Sequence, residues 1–193
     1  MQIAQSMLDE HPVHLRTSHG SNLYGLAHAD SDEDVYVVAD IPMTRPVQKT
    51  DGFDDQTIIP LDAFYAACWD GEPKALEALW SPSAELSPVL AEFARSFKAS
   101  GYKAELHVRS RISRYRRTYL TTEAPESFKA FKFRRHSLRL AIQLRSINDS
   151  GRFNPVLNRN SRDLINRLAA DYADPEAFDT LMDAWMSWAT AAR

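Results

Sequence analysis

A Gly-Ser pair, Gly20 and Ser21, stands shortly before an acidic cluster in the stretch HGSNLYGLAHADSDEDVYVV. Asp32 and Asp34 are two positions apart at the start of an apolar run typical of a strand. Their side chains are therefore expected on one face of that strand, with Glu33 on the other. Two neighbouring carboxylates repel each other unless a cation lies between them. Mg²⁺ suits such a pair, because proteins commonly hold it through one or two carboxylates together with substrate phosphates.

Gly20 and Ser21 are suited to the phosphates that would accompany this metal. A glycine permits close approach of the backbone to a ligand, and the Ser21 hydroxyl adds a hydrogen-bond donor. The segment NLYGLA predicts a short helix directly after the pair, whose first amides would attract phosphate. Capping of this helix by Ser21 is the alternative role, and the two roles are compatible. Together the pair and the carboxylates predict a site for a nucleoside triphosphate and Mg²⁺.

The elements that must position this site are predicted from hydrophobic periodicity. Alternating or β-branched stretches predict three strands, and the polar segment PMTRPVQKTDG between the last two predicts a loop. After Pro60 the apolar residues recur at spacings of three and four, which indicates helices to the end of the chain. In this region Ser81-Pro82 and Ser87-Pro88 are signals of a helix start or a turn. We therefore predict an α+β (α/β) fold. It has a small mixed sheet flanked by helices over residues 1–95 and a helical region over 96–193 packed on it. The three predicted strands are VHLRTS, DEDVYVVADI and DDQTIIP.

Composition excludes several broad classes. The 193 residues are 44% hydrophobic and 25% charged, as in ordinary globular proteins, and the net charge of −3 gives no global attraction to nucleic acid. The single cysteine, Cys68, cannot form a disulfide within the chain. No apolar run approaches the roughly 18 residues of a membrane span, and the N-terminus has no secretory pattern. We expect a cytoplasmic protein with no membrane partner.

The residues of the first motif resemble the signature of the DNA polymerase beta nucleotidyltransferase superfamily. The likeness is greatest to bacterial and phage predicted nucleotidyltransferases that carry Gly-Ser-x-x-Tyr-Gly followed by Ser-Asp-x-Asp and an apolar run. It continues through DDQTIIPLDAFYAACWDGEPKALEALW and KFRRHSLRL, and covers roughly residues 13–145. The matching residues of the first motif are Gly20, Ser21, Tyr24, Gly25, Ser31, Asp32 and Asp34.

The resemblance implies an enzyme that moves a nucleoside monophosphate from a triphosphate such as ATP onto an acceptor hydroxyl, releasing pyrophosphate. Asp32 and Asp34 would hold two Mg²⁺ ions, with Mn²⁺ as an alternative metal. Superfamily enzymes add a third carboxylate from a neighbouring strand, which matches Asp55 here. Asp54 and Asp62 are its rivals. Asp32, Asp34 and Asp55 are thus the expected catalytic and metal-binding residues, and Gly20 and Ser21 the expected phosphate-binding ones.

The acceptor is open between a nucleic acid, a protein side chain and a small molecule. A non-catalytic member of the same fold, binding a nucleotide or a partner protein as an antitoxin-like or regulatory module, is the alternative function. The intact Asp32 and Asp34 pair favours the enzyme, because binding alone does not require it.

A second basic motif lies in the helical region. Lys132, His136 and Arg139 fall on one face of a predicted helix and match the Lys-x3-His-x2-Arg-Leu pattern of the resembled family. We expect them to contact the triphosphate or acceptor phosphate. A solvated basic stripe is the alternative.

Three other groups of residues have weaker interpretations. The five arginines between Arg109 and Arg117 either follow a nucleic-acid backbone or pair with acidic residues. Trp185 and Trp188 are three apart and are expected in a helix-packing core. The histidines other than His136 lack metal-ligand spacing, so we interpret them as surface or polar-core residues.

Overall fold

The computed structural model describes residues 8–26, 34–42, 47–51, 54–120 and 123–191. The strands of these residues are β1 (Val13–His19), β2 (Asp34–Ala39), β3 (Val47–Asp51), β4 (Asp54–Pro60) and β5 (Glu85–Leu86). They form one five-stranded mixed sheet in the order β3-β4-β2-β1-β5, with helices packed on it, which confirms the predicted α+β class. β1 pairs antiparallel with β2 and with β5, β2 pairs parallel with β4, and β3 pairs antiparallel with β4.

β2 lies in the middle of the sheet because its sequence suits burial on both faces. Val37, Val38 and Ala39 are all buried, although neighbouring side chains point to opposite faces. Val37 and Ala39 form a core cluster with Ile41 and Ile58. This buried strand fixes the direction of its first residue, Asp34, relative to both neighbouring strands.

β3 was not predicted. Its residues lie in the segment that we expected to be a loop, because the residues are mainly polar and prolines precede them. An edge strand tolerates such a composition, since only one side of it must pair with the sheet. The glycine at position 52, directly after this segment, is a turn signal that could have revealed the strand.

Four helices of the described residues accompany the sheet. They are α1 (Ser21–Tyr24), α2 (Leu61–Asp70), α3 (Pro73–Leu79) and α4 (Pro88–Ser96). α3 packs against β1, α2 packs against β2 and β4, and α4 packs against β1 and β5. The Ser87-Pro88 signal starts a helix as expected: the Ser87 hydroxyl caps α4, and Pro88 stands in its first turn.

The remaining described helices form a bundle around one long helix. They are α5 (Gly101–Tyr115), which continues as a π-helical turn (Arg116–Leu120), α6 (Phe128–Ser150), α7 (Arg159–Asp171) and α8 (Pro175–Thr190). The long helix, α6, contacts α5, α7 and α8 and contributes ten buried residues, Leu138, Leu140 and Leu144 among them. The side chains of Ser127, Asn158 and Asp174 cap the first turns of α6, α7 and α8.

The chain divides into two compact units. The first contains the sheet and comprises Met1–Lys98 with Asn154–Val156, and the second is helical and comprises Ala99–Phe153 with Leu157–Arg193. None of the helices in the described part of the chain is long and apolar enough to cross a membrane.

The expectation for Trp188 is wrong. Its side chain is 47% exposed, so it is not part of a packed core. The indole packs edge-on against Trp185, with ring centroids 5.7 Å apart, and the Arg145 guanidinium lies 5.7 Å from its centroid. A cation over the ring face stabilises an aromatic side chain that remains in contact with water.

We predict that Cys68 is inert in the folded protein. Its side chain is fully buried in α2, and burial, assisted by the nearby Glu72 carboxylate, raises the pKa of its thiol. The reactive thiolate is therefore scarce at pH 8. Titration with a thiol-reactive chromophore should give no fast reaction in buffer and one equivalent in denaturant. A fast reaction of the native chain would contradict the burial of this helix face.

Candidate active site

Gly20 brings the backbone directly against the carboxylate of Asp34. The residue follows β1 in the left-handed backbone conformation, with φ +76°. A Cβ atom added to it would lie 2.1 Å from Asp34 Oδ2. Because no real Cβ can occupy that position, only glycine fits without displacing the carboxylate. The predicted proximity of the Gly-Ser pair to the acidic cluster is therefore present for Gly20 and Asp34.

Strand pairing places residue 55 beside Asp34. In the parallel pair of β2 and β4, Asp34 is the register partner of Asp55. Paired positions on neighbouring strands share a face of the sheet and lie about 4.8 Å apart across the ladder. Asp54 belongs to the opposite face and pairs with Asp51 of β3. The register thus favours Asp55 over Asp54 as the neighbour of Asp34.

Asp62 does not reach this edge of the sheet. β2 and β4 run parallel from their first residues, Asp34 and Asp54, and Asp62 follows the far end of β4 in the first turn of α2. The length of β4 separates Asp62 from Asp34 by roughly 20 Å at the usual rise per residue. Asp62 is also exposed. The strand register therefore disfavours Asp54 as the third carboxylate, and the distance from Asp34 excludes Asp62 from that role.

Three expected site residues, Asp32, Ser21 and Asp55, lie partly or wholly outside the described residues. Asp32 is one of them, and its place beside Asp34 stays a prediction. The side chains of Ser21 and Asp55 are not described either, although the backbone of both residues is. Among the described side chains no three His, Cys, Asp or Glu residues form a metal-binding group. Asp32 and the side chain of Asp55, which belong to the expected set, lie outside these described side chains.

The helix after Gly20 is shorter than expected. α1 comprises only the four residues Ser21–Tyr24. The amide of Leu23 donates to the carbonyl oxygen of Gly20 at 3.1 Å, which closes a single turn. One turn has a small dipole, so any attraction for phosphate would come mainly from the individual amides of the loop.

A buried carboxylate, Glu77, lies behind this loop, and the sequence did not reveal it. Glu77 is 1% exposed. Its Oε2 lies 2.9 Å from Nε2 of His19, which is ion-pair distance without linear hydrogen-bond geometry, and it accepts a hydrogen bond from the Tyr24 hydroxyl. The available signal was an acidic residue inside the otherwise apolar run ALEAL of α3. His19, 7% exposed, is a polar-core residue.

A buried hydroxyl cluster continues along the same face of β1. Thr17, two residues before His19, donates to Ser81 at 2.7 Å and lies 2.9 Å from the hydroxyl of Ser83. Thr17 and Ser81 are both buried. The polar side chains of this β1 face are thus paired within the protein rather than with solvent, as burial requires.

The expected phosphate-binding residues of the helical unit have different environments. Arg139 is 3% exposed and donates to Oε1 of Gln143 at 2.9 Å, so it does not belong to a solvated stripe. His136 is half-buried, with its ring 6.2 Å from that of Tyr115, and Lys132 is half-buried. Contact of these three residues with phosphate stays a prediction.

Pairing with acidic residues accounts for two members of the arginine run. Nε of Arg109 lies 2.7 Å from Glu105, and Arg116 lies 2.5 Å from Asp179. Burial raises the pKa of Asp179, and the Arg116 guanidinium opposes that rise. These contacts favour the interpretation of the run as a partner of acidic side chains.

Comparison with known proteins adds no family to this geometry. The sequence matches no protein-family model and no curated protein at a significant level. Any assignment of function depends on the motif and on the edge of the sheet where Gly20, Asp34 and residue 55 meet.

We predict that Gly20→Ala disrupts this edge. The left-handed conformation alone costs about 1–2 kcal/mol for a residue with a Cβ, and the new methyl group must also displace Asp34. Gly151→Ala is the control, because Gly151 has the same backbone conformation (φ 73°) at the end of α6. Denaturant unfolding should show a larger decrease in the free energy of unfolding for Gly20→Ala than for Gly151→Ala. Equal decreases would mean that the added methyl group does not have to displace Asp34.

Proposed function

We propose that the chain is a Mg²⁺-dependent nucleotidyltransferase, which transfers a nucleoside monophosphate from a nucleoside triphosphate such as ATP to an acceptor hydroxyl. The observation that carries the proposal is the approach of the Gly20 backbone to the Asp34 carboxylate, at the edge where residue 55 pairs with Asp34. The motif resemblance supports it independently. We also propose the cytoplasm as its location.

The donor set fits Mg²⁺. Carboxylate oxygens are hard ligands, and Gly20 leaves room for backbone but not for a side chain beside Asp34. Asp32, Asp34 and Asp55 would hold the metal, with two Mg²⁺ ions, or Mn²⁺ instead, as the expected cofactors. Bound there, the ions would neutralise the phosphates and stabilise the entering and leaving oxygens of the displacement.

The residues of the chain itself would orient the triphosphate. The Gly20 and Ser21 amides and the Ser21 hydroxyl would donate hydrogen bonds to its phosphates, next to the carboxylates. Asp55, on the neighbouring strand, would accept the proton of the acceptor hydroxyl or orient that hydroxyl. Phosphoryl transfer depends mainly on positioning and charge neutralisation, so a rigid sheet edge is a suitable support.

Asp34→Asn should reduce transfer at least about a hundredfold, the usual effect of losing a preorganised charge-stabilising group in an active site. The fold should survive, because the asparagine has the same shape at the half-buried Asp34 position. Asp40→Asn is the matched control, since Asp40 directly follows the other end of β2 and its side chain is 50% exposed. Pyrophosphate release and label transfer from each labelled triphosphate, with Mg²⁺, measure the effect. Wild-type turnover by folded Asp34→Asn would refute the assignment.

Asp55→Asn and Asp54→Asn test the strand register. We expect Asp55→Asn to retain binding of the Mg²⁺-triphosphate complex and to lose transfer, because Asp32 and Asp34 would still hold Mg²⁺ together with the triphosphate. Asp54→Asn should change neither, because position 54 belongs to the opposite face. Calorimetry measures the binding, and single-turnover label transfer measures the reaction. The reverse pattern would show that Asp54 is the third carboxylate.

A further inference from the structure

We propose that Glu77 is a positioning residue for the active-site loop, defined as Gly20–Tyr24 with His19 before it. In this proposal Glu77 holds both ends of the loop, so that the Gly20 backbone stays against Asp34. Its effect on catalysis rests on the proposed nucleotidyl transfer. Its effect on the loop does not, because the contacts involved are present in the chain alone.

One carboxylate oxygen contacts both ends of the loop. Oε2 of Glu77 is 2.9 Å from Nε2 of His19, the last residue of β1, and accepts the hydroxyl hydrogen bond of Tyr24, the last residue of α1. The two contacts meet at a single atom, so the ends of the loop cannot separate without breaking one of them. Gly20 lies between them.

Aromatic packing fixes the same two side chains. The His19 ring stacks on Tyr36 of β2, with centroids 5.9 Å apart and an interplanar angle of 24°, and meets Tyr24 edge-on at 6.4 Å. Tyr36 in turn packs on Phe64 of α2 at 6.2 Å. The two side chains that Glu77 contacts, His19 and Tyr24, are therefore anchored in the core of the sheet unit.

Packing alone does not explain why position 77 is a glutamate. Ala75, Leu76, Ala78 and Leu79 of the same helix are all buried, so an apolar residue at 77 would suit the helix and avoid the unfavourable burial of a carboxylate. A carboxylate is useful there for its directed contacts, and two of these lead to the ends of the loop. Because Glu77 is 1% exposed, it does not touch a triphosphate and must act through His19 and Tyr24.

The experiment compares the full chain with Glu77→Gln, Tyr24→Phe and the combination of both. Glu72→Gln is the matched control, because Glu72 is the N-cap of the same helix, where its side chain accepts from the amide of Ala75 at 2.9 Å. Three quantities are measured: amide hydrogen exchange of residues 20–24 without nucleotide, global unfolding in denaturant, and kcat and KM for each Mg²⁺-triphosphate.

We expect Glu77→Gln to accelerate exchange of the loop amides about tenfold, the effect of weakening one charged hydrogen bond. Exchange in β2 and β4 should not change. We expect kcat/KM to fall between about tenfold and a hundredfold through kcat, since a small misplacement of the reacting groups has effects of this size. Tyr24→Phe should show the same pattern, and the double variant should show less than the product of the two effects.

Unchanged loop exchange in folded Glu77→Gln and Tyr24→Phe would overturn the proposal, as would a uniform increase over the whole sheet. An effect of Glu72→Gln equal to that of Glu77→Gln would also overturn it. If Glu77→Gln fails to fold, Tyr24→Phe decides, because it removes one hydroxyl only. Failure of the proposed function is a separate result: the wild-type chain would transfer no nucleotide, while local loop exchange would still establish Glu77 as the residue that holds the loop.

Discussion

The approach of a glycine backbone to a carboxylate is the constraint on which the candidate site depends. Gly20 can lie against Asp34 only because β1 and β2 pair with His19 opposite Asp34, and because residue 20 has no side chain. The parallel pairing of β2 with β4 then brings residue 55 to the same edge. Strand pairing thus brings three separate segments of the chain to one place. A one-residue slip in either pairing would move an aspartate to the wrong face of the sheet.

Next to that edge of the sheet, polar side chains of β1 and α3 are buried, although burial of polar groups is unfavourable. Thr17 and His19 are buried on one face of β1, where apolar residues would pack as well. Glu77 of α3 contacts His19, and Ser81 contacts Thr17. Buried polar groups that are paired add directional contacts, which apolar packing lacks. The same cluster connects the sheet, the loop and the covering helix, so the geometry of the edge is coupled to the core of the unit.

Local pattern predicted much of this fold, and its failures have physical causes. β2 was evident because its apolar residues must be buried on both faces, and the Ser87-Pro88 signal was reliable because a cap is a local interaction. β3 was missed because its stability comes from pairing with β4 and not from its own composition. Glu77 was missed because its partner Tyr24 is 53 positions away, and Trp188 was misplaced because the cation that covers it comes from another helix. Strand register and side-chain pairing are tertiary properties, and a single sequence does not contain them explicitly.

The two outer strands of the sheet have a consequence for how the protein behaves at high concentration. An exposed strand offers unpaired amides and carbonyls to any other extended chain, which is a common route to aggregation. β5 at one edge is only two residues long, and β3 at the other carries Lys49 and Asp51 within five residues. Neither edge is a long apolar template for another strand. Both edges of the sheet therefore disfavour edge-to-edge association with another chain. Self-assembly into fibres by strand addition is disfavoured for the same reason.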